Sequence, residues 1–254
     1  MCSNPSRSGN IRNSGILLPL AQNCICGRFL RRVKRFSIEF EYMGQKLWAH
    51  TNNSGGMLGL LRRGAPVLVS PAGRAGRKLP YTLERIWVQH GFTPYGFWAG
   101  VNTSAASAML EAAFHVGILD FCHGYSVIRR EVKYGESRLD ACISDAGKPA
   151  LWVECKHVTL VEDGVAAFPD AVSLRAQKHL HELMGVVASG DRGAMFYLAA
   201  RPDGSCFSPA DYIDQAYADL FYEAMAKGVE AYVYQAVLHP QGMSLGHRIP
   251  IKTG

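Results

Sequence analysis

The chain has no uncharged apolar run near the roughly 18 to 20 residues that a bilayer-spanning helix needs, so a transmembrane segment is not expected. It has no internal repeat or low-complexity array, and nothing in it reads as a helix-turn-helix or a zinc finger. Sequence-selective reading of a DNA major groove is therefore not indicated. Its cysteines, Cys2, Cys24, Cys26, Cys122, Cys142, Cys155 and Cys206, are odd in number. A chain of 254 residues does not need a disulfide scaffold, so a reducing, cytoplasmic compartment is the expectation. Cys24-x-Cys26 without a second pair or a nearby His cluster supplies too few ligands for structural zinc. The stretch from Gly15 to Ala21 is short, is broken by Pro19 and is not followed by the small residues of a cleavage site, so residues 1–27 are expected as a poorly ordered extension rather than an export signal.

The most uneven shortage is of acid. Residues 1–90 hold 14 Lys+Arg against 3 Asp+Glu, while residues 91–254 hold 13 against 18. A basic front half on an acidic back half points to a polyanionic partner, most economically nucleic acid held mainly without regard to sequence. The basic side chains come from three segments: Arg31, Arg32, Lys34 and Arg35; Arg62 and Arg63; and Arg74, Arg77 and Lys78. On a small barrel these could line one groove that follows a phosphate backbone, with Phe36, Tyr42, Trp48 and Tyr81 offering faces for bases. Ordinary β-surface packing is the plainer account of the aromatics.

Between 28 and 93, short alternating runs (36–43, 46–50, 67–70, 83–88) separated by glycines read as strands of a small all-β module such as a barrel. From about 94 the texture changes. Asn102 or Thr103 caps a helix with apolar positions from Ala105 to Val116, ending at Gly117. Strands follow at 126–133, 137–143 and 150–156. Asp170 then opens a helix with Val172, Ala176, Leu180, Leu183 and Val187 on one stripe. A strand at 194–200, a helix at 214–227 and a strand near 229–237 complete an α/β domain over 94–254 with a mixed sheet.

The chemistry concentrates in the second and third of those strands. A hairpin centred on Gly147 pairs residues whose numbers sum to 294, which sets Asp140 across from Glu154 and Ile143 across from Leu151. Lys156 returns to the face of Glu154 by alternation, while Leu139, Val153 and Cys155 point to the other side. A slip of one residue would move Asp140 to the opposite face. Two adjacent carboxylates repel unless a proton or a divalent cation neutralises them. Mg²⁺ or Mn²⁺, with one or two carboxylates, waters and substrate phosphate oxygens, suits such a site. The plain alternative is a cross-strand salt-bridge cluster. His157 faces away from the acids, and His179 and His181, two apart on a helix, share no ligand.

The segments RVKRF at 32–36, NSGGMLGL at 53–60, KLPYTLE at 78–84, VNT at 101–103, EVKYGESRLD at 131–140, VECKHVTL at 153–160 and FPDAVSLRAQKHLHELM at 168–184 resemble, in order and spacing, the sugar fermentation stimulation protein family. The resemblance covers about 28–252. It implies a DNA-binding protein with an amino-terminal OB-like β-barrel and a PD-(D/E)xK nuclease-like αβββαβ domain. It also implies a nuclease-like signature on Asp140, Glu154 and Lys156, with Asp140 and Glu154 as metal ligands and Gln177 as a fourth member. On the helical wheel Gln177 borders the buried stripe, which equally suits a polar boundary residue. The chain departs from the family pattern at Asn52-Asn53-Ser54-Gly55, at Ala141 and at Cys155, none of which removes a ligand. Two functions follow as expectations: a divalent-metal-dependent DNA phosphodiesterase, or a non-catalytic DNA-binding regulator of sugar (maltose) utilisation genes.

Overall fold

A computed structural model describes residues 15–73, 77–89 and 95–252. The first half is all strand: β1 Leu18–Pro19, β2 Ile25–Val33, β3 Ser37–Tyr42, β4 Gln45–His50, β5 Pro66–Pro71, β6 Tyr81–Gln89 and β7 Gly96–Gly100. Strands β2 to β6 close into a barrel in the order β4-β3-β2-β5-β6, and β6 returns to β4 through Ala49↔Tyr81 and His50↔Thr82. Closure removes the free sheet edges that a small β module would otherwise expose. Alternation sends Phe29, Ile38, Phe40, Ala49, Val67, Val69, Leu83 and Ile86 inward, all buried. Each of the larger ones contributes about 1.5–3 kcal/mol relative to exposure. The four expected strands are present. Strand β2 was hidden in the sequence because its arginines mask the alternation and a register shift between Phe29 and Arg31 breaks it.

The second half follows as α1 Ser104–His115, β8 Val127–Tyr134, β9 Ser137–Ser144, β10 Leu151–Val158, β11 Leu160–Glu162, β12 Val165–Phe168, α2 Leu174–Ala188, β13 Arg192–Ala199, β14 Cys206–Pro209, α3 Gln215–Ala226, β15 Glu230–His239 and β16 Gly242–Arg248. Its main sheet runs β1-β16-β15-β13-β10-β9-β8, with β10, β13 and β15 parallel and the rest antiparallel. Helix α1 covers one face through Met109, Leu110 and Ala113, and α2 and α3 cover the other through Leu180, Leu183, Tyr217 and Phe221. The αβββαβ order is the expected one. Among the described residues no helix is long and apolar enough to cross a membrane.

Helix α2 starts later than the sequence suggested. Ser173, not Asp170, is its cap, with Oγ accepting from Ala176 N at 3.2 Å. Val172 lies outside the helix and is exposed, and the buried stripe is Ala176, His179, Leu180, Leu183 and Val186. Asp170 instead reaches across to the barrel, where its Oδ2 accepts from Met57 N at 2.9 Å. Leu139 also departs from expectation: it packs in the α2–α3 cluster, opposite Val153 and Cys155 in the α1 cluster.

Of residues 15–27, expected as a poorly ordered extension, 25–27 are part of barrel strand β2 and 17–20 are tied to the second domain. Leu18 pairs with Met243, Leu17 N donates to Met243 O at 3.0 Å, and both leucines pack against the α1 core. Their burial gives this segment the apolar anchor that its polar neighbours lack. Residues 1–14, and the expected domain boundary between 93 and 94, lie outside the described residues; β7, on the far side of that boundary, still pairs with β6 of the barrel.

Barrel and second domain are joined by polar contacts. Buried Arg85 donates to His239 O at 2.7 Å and Gly242 O at 2.6 Å. Asn52 donates to Asn102 Oδ1 at 2.7 Å and accepts from Thr103 N at 3.0 Å, locking the 51–57 loop to the start of α1. Gly55 makes the Asp170 contact possible, because a Cβ there would fall 1.9 Å from Asp170 Oδ1. Gly55→Ala is therefore expected to displace Asp170 and destabilise the protein by about 1–2 kcal/mol, the cost of a lost buried hydrogen bond. Combined with Asp170→Ala, the same substitution should cost far less in urea unfolding. Strict additivity of the two would show that the joint does not depend on this contact.

Candidate active site

The hairpin register is the expected one. Leu151 pairs with Ile143, Trp152 with Cys142 and Val153 with Ala141. One step further the ladder opens, and the Asp140 carboxylate fills the gap by accepting from Cys155 N through Oδ2 at 2.8 Å. That places Asp140 beside Glu154, whose side chain points to the α2 face of β10.

Glu154 is 3% exposed. Its Oε1 accepts from Lys156 Nζ at 2.6 Å and also meets His179 Nδ1 from α2, while Lys156 Nζ and His179 Nδ1 stand 3.2 Å apart. Both partners therefore crowd one oxygen. The other, Oε2, is buried and has no hydrogen-bond partner among the described residues. For Glu154 burial opposes ionisation, but Lys156 and then His179 outweigh it and hold the carboxyl below its usual range. Asp140 behaves oppositely. Burial, and after it the neighbouring Glu154 charge, pushes its carboxyl up to about 6.

Asp140, Glu154 and Lys156 line a cleft of about 950 Å³ between the barrel's 52–55 loop, the start of α1, and the 168–176 segment. Arg35, Arg130 and Arg175 stand on its lining, one each from the barrel, β8 and α2. Arg130 is steadied by Glu111 at 3.0 Å and Ser107 Oγ at 3.2 Å.

Gln177 is not brought into the cleft. Its Nε2 donates to Asp214 Oδ1 at 2.8 Å, the same oxygen that caps α3, so its role is to fasten α2 to α3. His157 lines the same cleft but bonds to the barrel rather than to the acids, with Nε2 against Gly100 O at 2.9 Å; burial lowers it to about 4. His179 was set aside in the sequence and is central in the structure. The signal was available: His179 falls three residues after Ala176, on the buried stripe, where a polar side chain needs a polar partner.

The basic side chains do not share one groove. Arg32 is an internal clamp, donating to Gly55 O and Asn53 O at 2.7 Å and to Arg35 O at 2.6 Å. Arg31 is exposed and paired with Glu39 at 2.6 Å. Lys34 and Arg35 are exposed in the β2–β3 turn, and Arg77 and Lys78 are exposed in the β5–β6 connection, Arg77 donating to Thr82 Oγ1 at 3.0 Å. Arg62 and Arg63 line a separate hollow with Arg28. Arg74 lies outside the described residues. Of the aromatics, Tyr81 packs edge-on against core Phe40, while Phe36 is exposed beside His50.

Among the described residues no set of three His, Cys, Asp or Glu side chains converges as a complete metal cage. The pair Asp140 and Glu154 nevertheless fits a hard divalent cation. Mg²⁺ and Mn²⁺ take one or two carboxylates and complete their shells with water and substrate oxygens, and Glu154 Oε2 is an anionic oxygen without a partner.

The fold and site define an OB-barrel protein whose second, α/β domain opens a basic-lined cleft over the buried Glu154 and the half-buried Asp140. The family model for the SfsA N-terminal OB domain matches residues 30–101, and that for the sugar fermentation stimulation protein RE domain matches residues 104–242. The chain belongs to the sugar fermentation stimulation protein family. It is 50% identical to the sugar fermentation stimulation protein homolog of Maridesulfovibrio salexigens, over 91% of this chain and 95% of the relative. It is 45% identical to that of Lawsonia intracellularis, with the same coverage of 91% and 95%. Among solved structures, Pyrococcus furiosus SfsA in complex with Ca²⁺ superposes with a TM-score of 0.84 at 27% identity, covering 94% of this chain and all of that one.

The raised Asp140 carboxyl has a stability consequence. The folded state holds this proton more tightly than the unfolded chain, whose value is near 3.8. The stability it confers is complete below that value and is lost as pH rises through about 6. Without divalent cation, Asp140→Asn should therefore raise urea stability at pH 7.5 by on the order of 2 kcal/mol, and the gain should vanish toward about pH 4. An equal effect at both pH values would contradict this electrostatic account.

Proposed function

We propose that the chain is a DNA-binding phosphodiesterase dependent on Mg²⁺ or Mn²⁺, with a PD-(D/E)xK nuclease-like site on Asp140, Glu154 and Lys156. The observation that carries this reading is the buried Glu154 with one oxygen saturated by Lys156 and His179 and the other, Oε2, left without a partner beside Asp140. A purely structural salt bridge would leave no reason for a second carboxylate to be buried beside it, raised in pKa and facing a cleft. The calcium complex of the Pyrococcus furiosus relative supports a divalent cation as the group taken up.

In this reading Asp140 and Glu154 hold the cation, and the cation supplies Lewis acidity and a water of lowered pKa. The remaining work belongs to the chain. His179 and Lys156 pin Glu154 Oε1 and so fix where Oε2 points. An ammonium has three N–H donors, so Lys156 can also orient the attacking water or meet a phosphate oxygen as negative charge builds on it. Arg35, Arg130 and Arg175 receive flanking phosphates along the cleft, and Lys34, Arg77 and Lys78 extend the charge over the barrel's connections. None of these groups reads a base edge, so the grip is on the backbone.

The test is incubation of the pure protein with single-stranded and duplex DNA, with and without Mn²⁺, beside Asp140→Ala. Cleavage that needs Mn²⁺ and falls at least about a hundredfold in the variant is expected. Cleavage that survives the substitution, or DNA binding with no cleavage at any Mn²⁺ concentration, would overturn the enzymatic reading; the latter result would leave a binding protein acting on sugar-utilisation genes. A salt titration checks the grip. The log–log slope of affinity against salt should be steep and should fall by about 1 in Arg175→Ala.

A further inference from the structure

Between β2, β6 and the 59–66 connection lies a hollow of about 450 Å³ that shares no lining residue with the cleft. OB barrels commonly bind oligonucleotides on their second and third strands and on the connections between strands one and two and between four and five. Here those are β3, β4, residues 34–36 and residues 72–80, and the hollow lies on none of them. It gathers Arg28, Arg62 and Arg63 around Trp87, and none of its lining residues among those described carries a carboxylate.

The three guanidinium groups are exposed. Among the described residues Arg28 donates once, to Gly64 O at 3.2 Å, and Arg62 once, to Gln89 Oε1 at 3.1 Å. A guanidinium has five N–H donors, so these single bonds orient the two groups and leave most of their donors available. That differs from Arg32, whose donors are committed to main-chain carbonyls. Trp87 is also held in place. It meets Trp98 edge-on at 5.5 Å, and it lies against the bare backbone of Gly96, where a Cβ would come within 2.7 Å of its ring. A fixed indole among three cations, in a hollow whose described lining carries no carboxylate although Glu41 pairs across the strands with Arg28, matches a planar base flanked by phosphates. Bases in a duplex have both faces covered by their neighbours, so the indole can receive only an unstacked base.

We infer that this hollow is a second nucleic-acid site, one that takes a single-stranded DNA segment with a base against Trp87 and its phosphates on Arg28, Arg62 and Arg63. The inference rests on DNA as the partner in the function proposed above and narrows it: the preferred substrate carries a single-stranded stretch that the barrel holds while the cleft engages the adjoining backbone.

The test measures binding of the full chain to a fluorescent oligothymidylate and to a duplex in EDTA, where no cation chemistry at the cleft contributes. Arg62→Ala/Arg63→Ala should lower the salt slope for the single strand by about 1.4, at about 0.7 per lost phosphate contact. Trp87→Ala should weaken the single strand by at least about tenfold and the duplex far less. Trp87→Phe keeps a ring, guards against a folding defect and should retain most of the affinity. Equal losses for single strand and duplex, or unchanged oligothymidylate binding in both the arginine and tryptophan variants, would overturn the inference while leaving the cleft reading intact. If the unsubstituted chain binds neither DNA, the proposed function fails and this inference with it.

Discussion

Two carboxylates cannot sit side by side in one hairpin, one buried and one half-buried, without a device that pays for their repulsion, and the second domain is organised around that device. Burial, and after it the Glu154 charge, raises the Asp140 carboxyl to about 6, so that it ionises only near and above that pH, while Glu154 is kept ionised by Lys156 and His179. The ladder between β9 and β10 opens to let Asp140 take a main-chain N–H. Helix α2 is set so that its one buried histidine meets Glu154, and Gln177 and Ser173 fasten that helix to Asp214 at the start of α3. The result is an anionic oxygen held in position before any ligand arrives, which is the condition for a preorganised cation site.

The excess of positive charge in the front half has several separate uses. Arg32 and Arg85 are structural, one bracing the 53–55 loop and the other binding the barrel to the last hairpin of the second domain. Arg35 joins Arg130 and Arg175 around the cleft, and Arg28, Arg62 and Arg63 gather at a different hollow. The cleft thus draws its charge from both domains, and the Asn52–Asn102 and Met57–Asp170 contacts set the spacing between the two contributions.

Much of this was legible in the sequence. Gly147 and the alternation around it specified the hairpin register that brings Asp140 to Glu154, because a one-residue slip would have exposed Ile143 and Leu151. The barrel strands were readable wherever branched and aromatic residues alternate with polar ones. What was not legible depended on distant partners. Asp170 looks like a helix cap, and only the barrel's Met57, 113 positions earlier, shows why it is not. His179 was set aside because it shares no ligand with His181, and its partner Glu154 sits on a strand that the sequence places 25 residues away. Which arginines are clamps and which are free cannot be read from charge, since the distinction lies in which carbonyls the fold brings within reach. Leu17 and Leu18 looked like part of a tail because the strand that receives them is the last in the chain.

The account depends most on the Asp140–Glu154 pair being a cation site. Calorimetric titration of Mn²⁺ into the metal-free protein at pH 7.5, beside Glu154→Gln and Asp140→Ala, tests this without needing substrate or turnover. The account predicts saturable binding that weakens at least about tenfold in either variant and, when the titration is repeated near pH 6 where Asp140 titrates, releases protons. Binding of equal strength in all three proteins, or none up to millimolar Mn²⁺, would contradict it.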